Sequence, residues 1–213
     1  MLIFKDREAA GQVLTEHLKK YKEAQYTIVL GIPRGGVVVA AVVAKKLNLP
    51  LDVVITRKIG APDQPELALG AVDPSGQVWW DKSLLGDLRI RIYDLRFEIK
   101  KQLEEIKRRE NLYRLGKPPL NVKSRTVILV DDGIATGATV ISAATYLKSI
   151  GTEKIVLAVP VGPVEVLEKL KGEVDELVVP YPQDYLGSVG SFYQNFEPVS
   201  DEKVIKLLSF SFS

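Results

Sequence analysis

The sequence of 213 residues contains no cysteine, only one histidine and only one methionine. Without cysteine the chain has no disulfide bond and no thiolate nucleophile, and a metal site would have to use oxygen ligands or the one histidine. No apolar run approaches the length of a membrane span, and the first residues, MLIFKDREAAGQ, lack the apolar core of a signal peptide. We therefore expect a cytoplasmic protein without a membrane partner.

The charges are nearly balanced and no long basic block stands out. The chain has 29 lysines and arginines against 27 aspartates and glutamates, which gives a net charge of +2. This balance does not favour a nucleic-acid partner. With 46% apolar residues, a chain of this length can bury one core, so we expect a single domain over residues 1–213.

Short apolar segments alternate with helical segments along most of the chain. Strands are predicted at TIVLG, DVVIT, TVILVDD, KIVLAVP and EVDELVVP, and helices are predicted between most of them. Because these strands are apolar on both faces, they favour a parallel sheet that helices cover on both sides. The prediction is an α/β fold with a doubly wound, mainly parallel sheet.

Two regions interrupt this alternation. Residues 57–123 contain two short strands around the turn DPSG and a long charged helix over residues 94–116, and are expected to form an inserted lid or arm. Residues 180–198 are irregular and rich in aromatic side chains, and are expected to form a small C-terminal hood. Long irregular segments in compact domains are usually functional. The thin apolar stripe of the charged helix also allows a dimer-forming arm, so a homodimer is possible.

The stretch VILVDDGIATGAT, residues 127–139, carries the clearest chemistry. Asp131 and Asp132 follow a buried strand, and a loop of small and hydroxyl residues then opens a helix. Free N–H groups at a helix start favour an anion, whereas adjacent carboxylates repel a phosphate and suit ribose hydroxyls or a hard cation. The stretch therefore predicts a sugar-phosphate site. A P-loop is excluded because no lysine precedes the threonines. The alternative is that Asp131 caps the helix while Asp132 is solvated.

This stretch resembles the 5-phosphoribosyl pyrophosphate (PRPP) signature of the type I phosphoribosyltransferases: four apolar residues, two acids and a T-G-x-T loop. The resemblance implies that Asp131 and Asp132 are the catalytic acids, which hold the ribose hydroxyls and also Mg²⁺, directly or through water and PRPP. It implies that the loop binds the 5′-phosphate through Gly133, Ile134, Ala135, Thr136, Gly137, Ala138 and Thr139.

Two further segments match family landmarks. GIPRGG resembles the pyrophosphate loop, which implies that Arg34, Gly35 and Gly36 bind pyrophosphate, although a plain glycine-rich turn would read the same. ITRKIGAP resembles the segment of orotate-type members in which an Arg-Lys pair, here Arg57 and Lys58, contacts pyrophosphate. A solvated basic turn is the alternative. The whole chain is similar to a group of predicted phosphoribosyltransferases whose acceptor is not generally assigned.

The resemblance implies transfer of the 5-phosphoribosyl group from PRPP to an acceptor nitrogen, expected on a nucleobase, with release of pyrophosphate. Ala135 stands where 6-oxopurine members carry an acid, which argues against hypoxanthine and guanine. Tyr181, Phe192 and Tyr193 could stack a planar acceptor, or could pack the C-terminal strand on the core. The alternative function is that of a regulator that binds PRPP without catalysis. Such a protein would normally add a DNA-binding segment or a basic surface, and neither is evident.

The end of the charged helix offers a candidate lid. Arg109, Tyr113 and Arg114 precede Gly116 and the pair Pro118–Pro119, which stop the helix and provide a hinge. A basic helix end that closed over pyrophosphate would supply charge and exclude water together. The alternative is a static arm that packs against a second subunit.

Overall fold

The computed structural model describes residues 4–62, 64–185 and 187–209. Its strands are β1 (Thr27–Gly31), β2 (Leu51–Val53), β3 (Arg57–Ala61), β4 (Gln64–Val72), β5 (Val78–Trp80), β6 (Thr126–Val130), β7 (Lys154–Ala158), β8 (Val161–Pro163), β9 (Glu176–Val178) and β10 (Tyr181–Gln183). Its α-helices are α1 (Arg7–His17), α2 (Gly35–Leu47), α3 (Lys82–Asp87), α4 (Arg96–Arg114), α5 (Ala138–Ser149), α6 (Val164–Leu170) and α7 (Asp201–Ser209).

A central parallel sheet organises the molecule, with strand order β2-β1-β6-β7-β9 in the described residues. Gly31 of β1 pairs with Val130 of β6, so both strands reach their carboxyl ends side by side. The chain leaves β1 toward one edge of the sheet and leaves β6 toward the other. The strand order therefore reverses between β1 and β6, which is where open α/β sheets bind ligands. The predicted α/β class with a mainly parallel sheet is confirmed.

The central strands divide their side chains between two cores, as alternation along a strand requires. Val29, Ile128 and Val130 face the core that also contains apolar residues of α1, α2 and α7. Leu30 and Leu129 face the core formed with α5 and α6. Because both faces are covered, the strands contain few polar residues, which explains the continuous apolar runs in the sequence.

Helix α2 forms in spite of its valines because it is buried along most of its length. It ends at Asn48, whose φ of 55° places it in the left-handed region. The neighbouring helix α1 begins at the cap Asp6, which accepts a hydrogen bond of 2.8 Å from the backbone N–H of Ala9. No helix in the described ranges is long and apolar enough to cross a membrane.

Residues 57–123 form a second, antiparallel sheet of β3, β4 and β5 followed by α3 and α4. The two strands predicted around DPSG are present as β4 and β5, and the turn is held by Asp73, which accepts hydrogen bonds from the N–H groups of Ser75 and Gln77. Strand β3 and helix α3 were not predicted. The sequence RKIGA of β3 does not read as a strand because Arg57 and Lys58 lie at a cleft instead of on an apolar face.

The C-terminal end of α4 is packed into the core, which argues against the lid hypothesis for Tyr113 and Arg114. The buried guanidinium of Arg114 donates through Nε to Asp52 at 3.0 Å and through a terminal nitrogen to the carbonyl of Val53 at 2.8 Å. The hydroxyl of Tyr113 donates to Asp201 at 2.6 Å. Swinging this helix end away would leave buried charges unpaired, which is costly.

Candidate active site

A cleft of about 860 Å³ opens at the carboxyl ends of β1 and β6. Its lining comes from the loop after β1, from residues 56–62, from residues 94–102 at the start of α4, and from the loop of residues 131–140. Hydrogen bonds of ordinary length hold two of these loops in place: the N–H of Ile32 donates to the carbonyl of Val130 in β6 at 2.9 Å, and the N–H of Ile134 donates to the carbonyl of Val161 in β8 at 3.0 Å. The strand ends thus position the cleft.

The two predicted aspartates lie at the floor of the cleft. The N–H of Asp132 donates to Oδ1 of Asp131 at 2.8 Å, so the chain is already turning at this point and both carboxylates reach the same cleft. Burial, together with the negative charge of Asp132, holds the pKa of Asp131 well above its usual range. One acid of the pair therefore takes up a proton more readily than an exposed aspartate.

Arg7 pairs with Asp132 and was not predicted as a site residue. Its Nε donates to Oδ2 of Asp132 at 2.6 Å, and its guanidinium lies 3.8 Å from the centre of the Phe196 ring. The backbone carbonyl of Asp132 accepts a further hydrogen bond of 2.6 Å from the hydroxyl of Tyr193. Asp132 is thus oriented through both its side chain and its backbone. No sequence signal near Arg7 marked it, because its partner is 125 positions away.

The loop predicted to bind phosphate presents free donors. In the described part of the chain, the backbone N–H groups of Ala135, Thr136, Gly137, Ala138 and Thr139 donate to no protein acceptor. Gly137 precedes α5 with a φ of 79°, a conformation that favours glycine. The side chains of Ala135 and Thr136 are exposed toward the cleft. Together these groups form an anion site at a helix start.

The GIPRGG loop lies directly against the aspartates. A Cβ placed on Gly36 would be 2.8 Å from the Cα of Asp131, and one placed on Gly35 would collide with Oδ2 of Asp132. Only glycine allows this approach. The Pro33–Arg34 peptide bond is cis, and the Arg34 side chain is half exposed, with a terminal nitrogen 3.7 Å from Asp201.

Arg57 and Lys58 form a basic wall of the cleft at the start of β3. Nε of Arg57 donates to Oε1 of Gln102 at 2.8 Å, and Nε2 of Gln102 donates to Glu98 at 2.5 Å. Burial, together with the nearby Arg109, lowers the pKa of Arg57. Arg109 itself is paired with Glu105 at 2.6 Å and does not line the cleft.

The first half of α4 completes the cleft, although sequence reasoning singled out the other end of this helix. Asp94, Phe97, Glu98 and Lys101 line the cleft with Gln102. The available signal was the spacing of Lys101, which follows Phe97 by four positions and Glu98 by three and so lies next to both on the helix surface.

The aromatic residues predicted to bind the acceptor do not line the cleft. Phe192 and Tyr193 are buried, and the Tyr193 ring packs against Phe4 and Phe196 at centroid distances of 5.2 and 4.9 Å. Tyr181 packs edge-on against Phe4 at 5.4 Å. These rings form a small core of their own, so the alternative of packing is the one observed. Among the described residues of this region, Val189 alone lines the cleft, and its side chain lies against Gly133.

The donor set suits a divalent cation that is shared with a substrate. Within the described residues no group of three or more histidine, aspartate or glutamate side chains forms a metal cage. Asp131 and Asp132 supply two carboxylates close to a loop whose N–H groups have no protein acceptor. Mg²⁺ is commonly bound by one or two carboxylates plus water and substrate phosphates, so this pair fits that ion.

Three comparisons place this geometry in a family. The model of the phosphoribosyl transferase domain matches residues 4–181. Two Mycobacterium tuberculosis proteins, from strains H37Rv and CDC 1551, carry phosphoribosyl transferase as a provisional name. Each is 38% identical over 208 residues, which is 98% of this chain and 47% of theirs. The chain therefore spans about half the length of these curated relatives.

The crystal structure of the protein TT1426 from Thermus thermophilus is 39% identical and superposes with a TM-score of 0.79, covering 97% of this chain and 98% of that one. Purine phosphoribosyltransferase from Pyrococcus horikoshii is 15% identical with a TM-score of 0.50, covers 91% of this chain and 92% of its own, and shows the shared fold alone. The matched domain and the relatives of 38% and 39% identity lead to one conclusion: the chain belongs to the phosphoribosyl transferase domain family.

Proposed function

We propose that this protein transfers the 5-phosphoribosyl group of PRPP to a nitrogen of a nucleobase and releases pyrophosphate. The observation that carries the proposal is the run of free N–H groups over residues 135–139, directly after the carboxylates Asp131 and Asp132. A phosphate at the loop and a ribose at the acids match the two ends of a ribose 5-phosphate unit. Both lie in one cleft at the switch point of the sheet.

In this proposal the carboxylates of Asp131 and Asp132 hold the ribose by accepting hydrogen bonds from its hydroxyls. An ionised carboxylate only accepts hydrogen bonds, and the two ribose hydroxyls only need acceptors to be held in place. Arg7 fixes Asp132, so this acid can orient one hydroxyl without being drawn toward the phosphate loop. Such fixed groups lower the entropic cost of bringing the reacting atoms together.

The basic wall acts on the leaving group. Arg57 and Lys58 line the cleft together with Ile32 and Pro33 of the GIPRGG segment, whereas Arg34, Gly35 and Gly36 do not line it. Arg57 is oriented by its hydrogen bond to Gln102. Positive charge that is already in place where negative charge develops stabilises the transition state without reorganisation. When bound, Mg²⁺ at Asp131 and Asp132 would offset the charge of the leaving pyrophosphate.

The reaction breaks the bond between the anomeric carbon and the pyrophosphate oxygen and forms a bond from that carbon to the acceptor nitrogen, with inversion. Pyrophosphate leaves with the electron pair, and the acceptor nitrogen gives up its proton. In the transition state the sugar carries positive charge and resembles an oxocarbenium ion. Water must therefore be excluded from the anomeric carbon. In the structure α4 and the loop before α5 border the cleft on two sides.

The test is a screen for pyrophosphate release from PRPP and Mg²⁺ with purine, pyrimidine and pyridine bases. Base-dependent release that is lost in Thr136→Val supports the transferase. If PRPP binds and no base gives release, the regulatory alternative is favoured. If PRPP does not bind, both functions are wrong.

A further inference from the structure

The aromatic residues Phe192 and Tyr193, which were predicted to stack against the acceptor, are not available for stacking. The hydroxyl of Tyr193 is bonded to the backbone of Asp132, its ring is enclosed by Phe4 and Phe196, and Phe192 is buried beside it. A planar ring cannot stack on faces that are already covered. The face that receives the acceptor must therefore come from another part of the cleft.

Phe97 is the aromatic residue that lines the cleft in the described part of the chain. Its side chain is 81% exposed, although it lies beside a cleft lined mostly by polar and charged groups. A large apolar side chain left open at the rim of a polar cleft offers a flat face to a ligand. Gly60, Ala61 and Pro62, at the end of β3, also line the cleft.

Helix α4 fixes the backbone position of Phe97. The helix is anchored at its far end by the ion pair of Arg114 with Asp52, in its middle by the buried Ile106, and near Phe97 by the contact of Gln102 with Arg57. Phe97 is therefore an exposed ring on an anchored element and not on a loose loop. A pre-positioned ring loses little freedom when a ligand stacks on it.

We propose that Phe97 forms the acceptor subsite and stacks against a planar heteroaromatic base, with Ala61 and Pro62 forming the neighbouring apolar surface. This inference rests on the proposed function, because it takes the acids and loop of the same cleft as the PRPP end. Glu98 and Lys101 flank Phe97 on the same helix and line the cleft with it, so hydrogen-bonding groups of both kinds border the stacked ring.

The experiment measures binding of free bases to the full chain, independently of turnover. Adenine, hypoxanthine, uracil, orotate and nicotinate are titrated by saturation-transfer NMR, each up to its solubility limit. The variants are Phe97→Ala, Phe97→Trp and the control Tyr93→Ala, which removes an exposed ring of the same segment that does not line the cleft. Circular dichroism checks the fold of each variant, and PRPP affinity is measured in parallel.

The expected result is that at least one base binds, that Phe97→Ala weakens this base roughly tenfold, and that Phe97→Trp and Tyr93→Ala retain it. PRPP affinity stays the same in all three variants. The inference is overturned if no base binds, if Phe97→Ala leaves base affinity unchanged, or if its only effect is to dissociate a dimer. Failure of the proposed function shows up separately, as the absence of PRPP binding by the unmodified chain.

Discussion

Nε of Arg7 lies 2.6 Å from Oδ2 of Asp132, which joins the first helix to the end of the central strand β6. Asp131 and Asp132 are adjacent acids in one cleft, and their charges repel each other. Arg7 offsets the charge of Asp132, whereas in the described residues no cation forms a direct ion pair with Asp131. Burial and the charge of Asp132 consequently raise the pKa of Asp131.

The first prediction concerns the pH dependence of stability. Because the pKa of Asp131 is raised above its ordinary value of 3.8, the folded state retains a proton that the unfolded state releases. The contribution of Asp131 to stability therefore falls as pH rises from 3.8 toward the raised pKa, by at most about 1.4 kcal/mol per pH unit. Asp131→Asn removes this loss, so the variant gains stability relative to the native chain as pH rises.

Urea unfolding of both proteins between about pH 4 and pH 7 measures this difference directly. Other acids, such as Glu105 with a pKa of about 2, change stability in the opposite sense, and they cancel in the comparison because both proteins contain them. A difference that stays constant with pH would contradict the raised pKa.

The second prediction concerns the phosphate loop. Thr136→Val keeps the shape of an exposed side chain and removes its hydroxyl, which is a donor beside the free N–H groups. Hydrogen bonds to charged groups contribute about 1.5–3 kcal/mol, so ribose 5-phosphate should bind roughly tenfold more weakly or worse. Calorimetric titration with ribose 5-phosphate measures the effect, and titration with inorganic pyrophosphate, which should be unaffected, is the control. Equal weakening of both ligands would refute the assignment.

The third prediction concerns pyrophosphate, whose affinity should fall while the affinity for ribose 5-phosphate stays the same. Gln102→Met keeps the length of the side chain and removes the acceptor that holds Nε of Arg57 at 2.8 Å. Arg57 then loses its orientation, and pyrophosphate should bind roughly tenfold more weakly while ribose 5-phosphate binds as before. Lys100→Met, on an exposed position of the same helix, is the matched control. If Gln102→Met leaves pyrophosphate affinity intact, Gln102 has only a structural role.

The fourth prediction concerns the end of α4. Arg114→Met leaves Asp52 buried without its cation, and breaking a buried pair costs about 3–5 kcal/mol. We expect a large loss of unfolding free energy by urea denaturation and unchanged PRPP affinity in the folded protein. Arg108→Met removes an exposed ion pair of the same helix and should cost much less. A stable Arg114→Met protein with impaired PRPP binding would support the hypothesis that the end of α4 is a lid.

The sequence predicted the parts of the fold that depend on local pattern. The apolar runs of β1, β6 and β7 indicated the parallel sheet, and the thin stripe with Gln102 and Ile106 located the buried face of α4. Strand β3 was not predicted, because its sequence lacks the alternation of apolar and polar residues that marks an ordinary strand. It begins with Arg57 and Lys58, which lie on the cleft. Helix α3 is only six residues long and too short for a periodic pattern.

In the candidate site, too, some residues could be predicted from local sequence and others could not. The acids and the threonine loop are contiguous in sequence, and their pattern predicted a sugar-phosphate site. The role of the GIPRGG loop was predicted only from its resemblance to the pyrophosphate loop of the family. Arg7 could not, because it meets Asp132 only through the packing of α1 beside the sheet. The aromatic residues of the C-terminal region misled the acceptor prediction because a ring that packs a core and a ring that stacks a base have the same sequence signature.

The measurement that tests the central claim most directly is calorimetric titration of the full chain with PRPP in the presence of Mg²⁺, compared with the double variant Asp131→Asn, Asp132→Asn. We expect saturable binding by the native chain and none by the folded double variant, because the carboxylates hold the ribose hydroxyls and the ion. Binding of unchanged affinity by the double variant would contradict it.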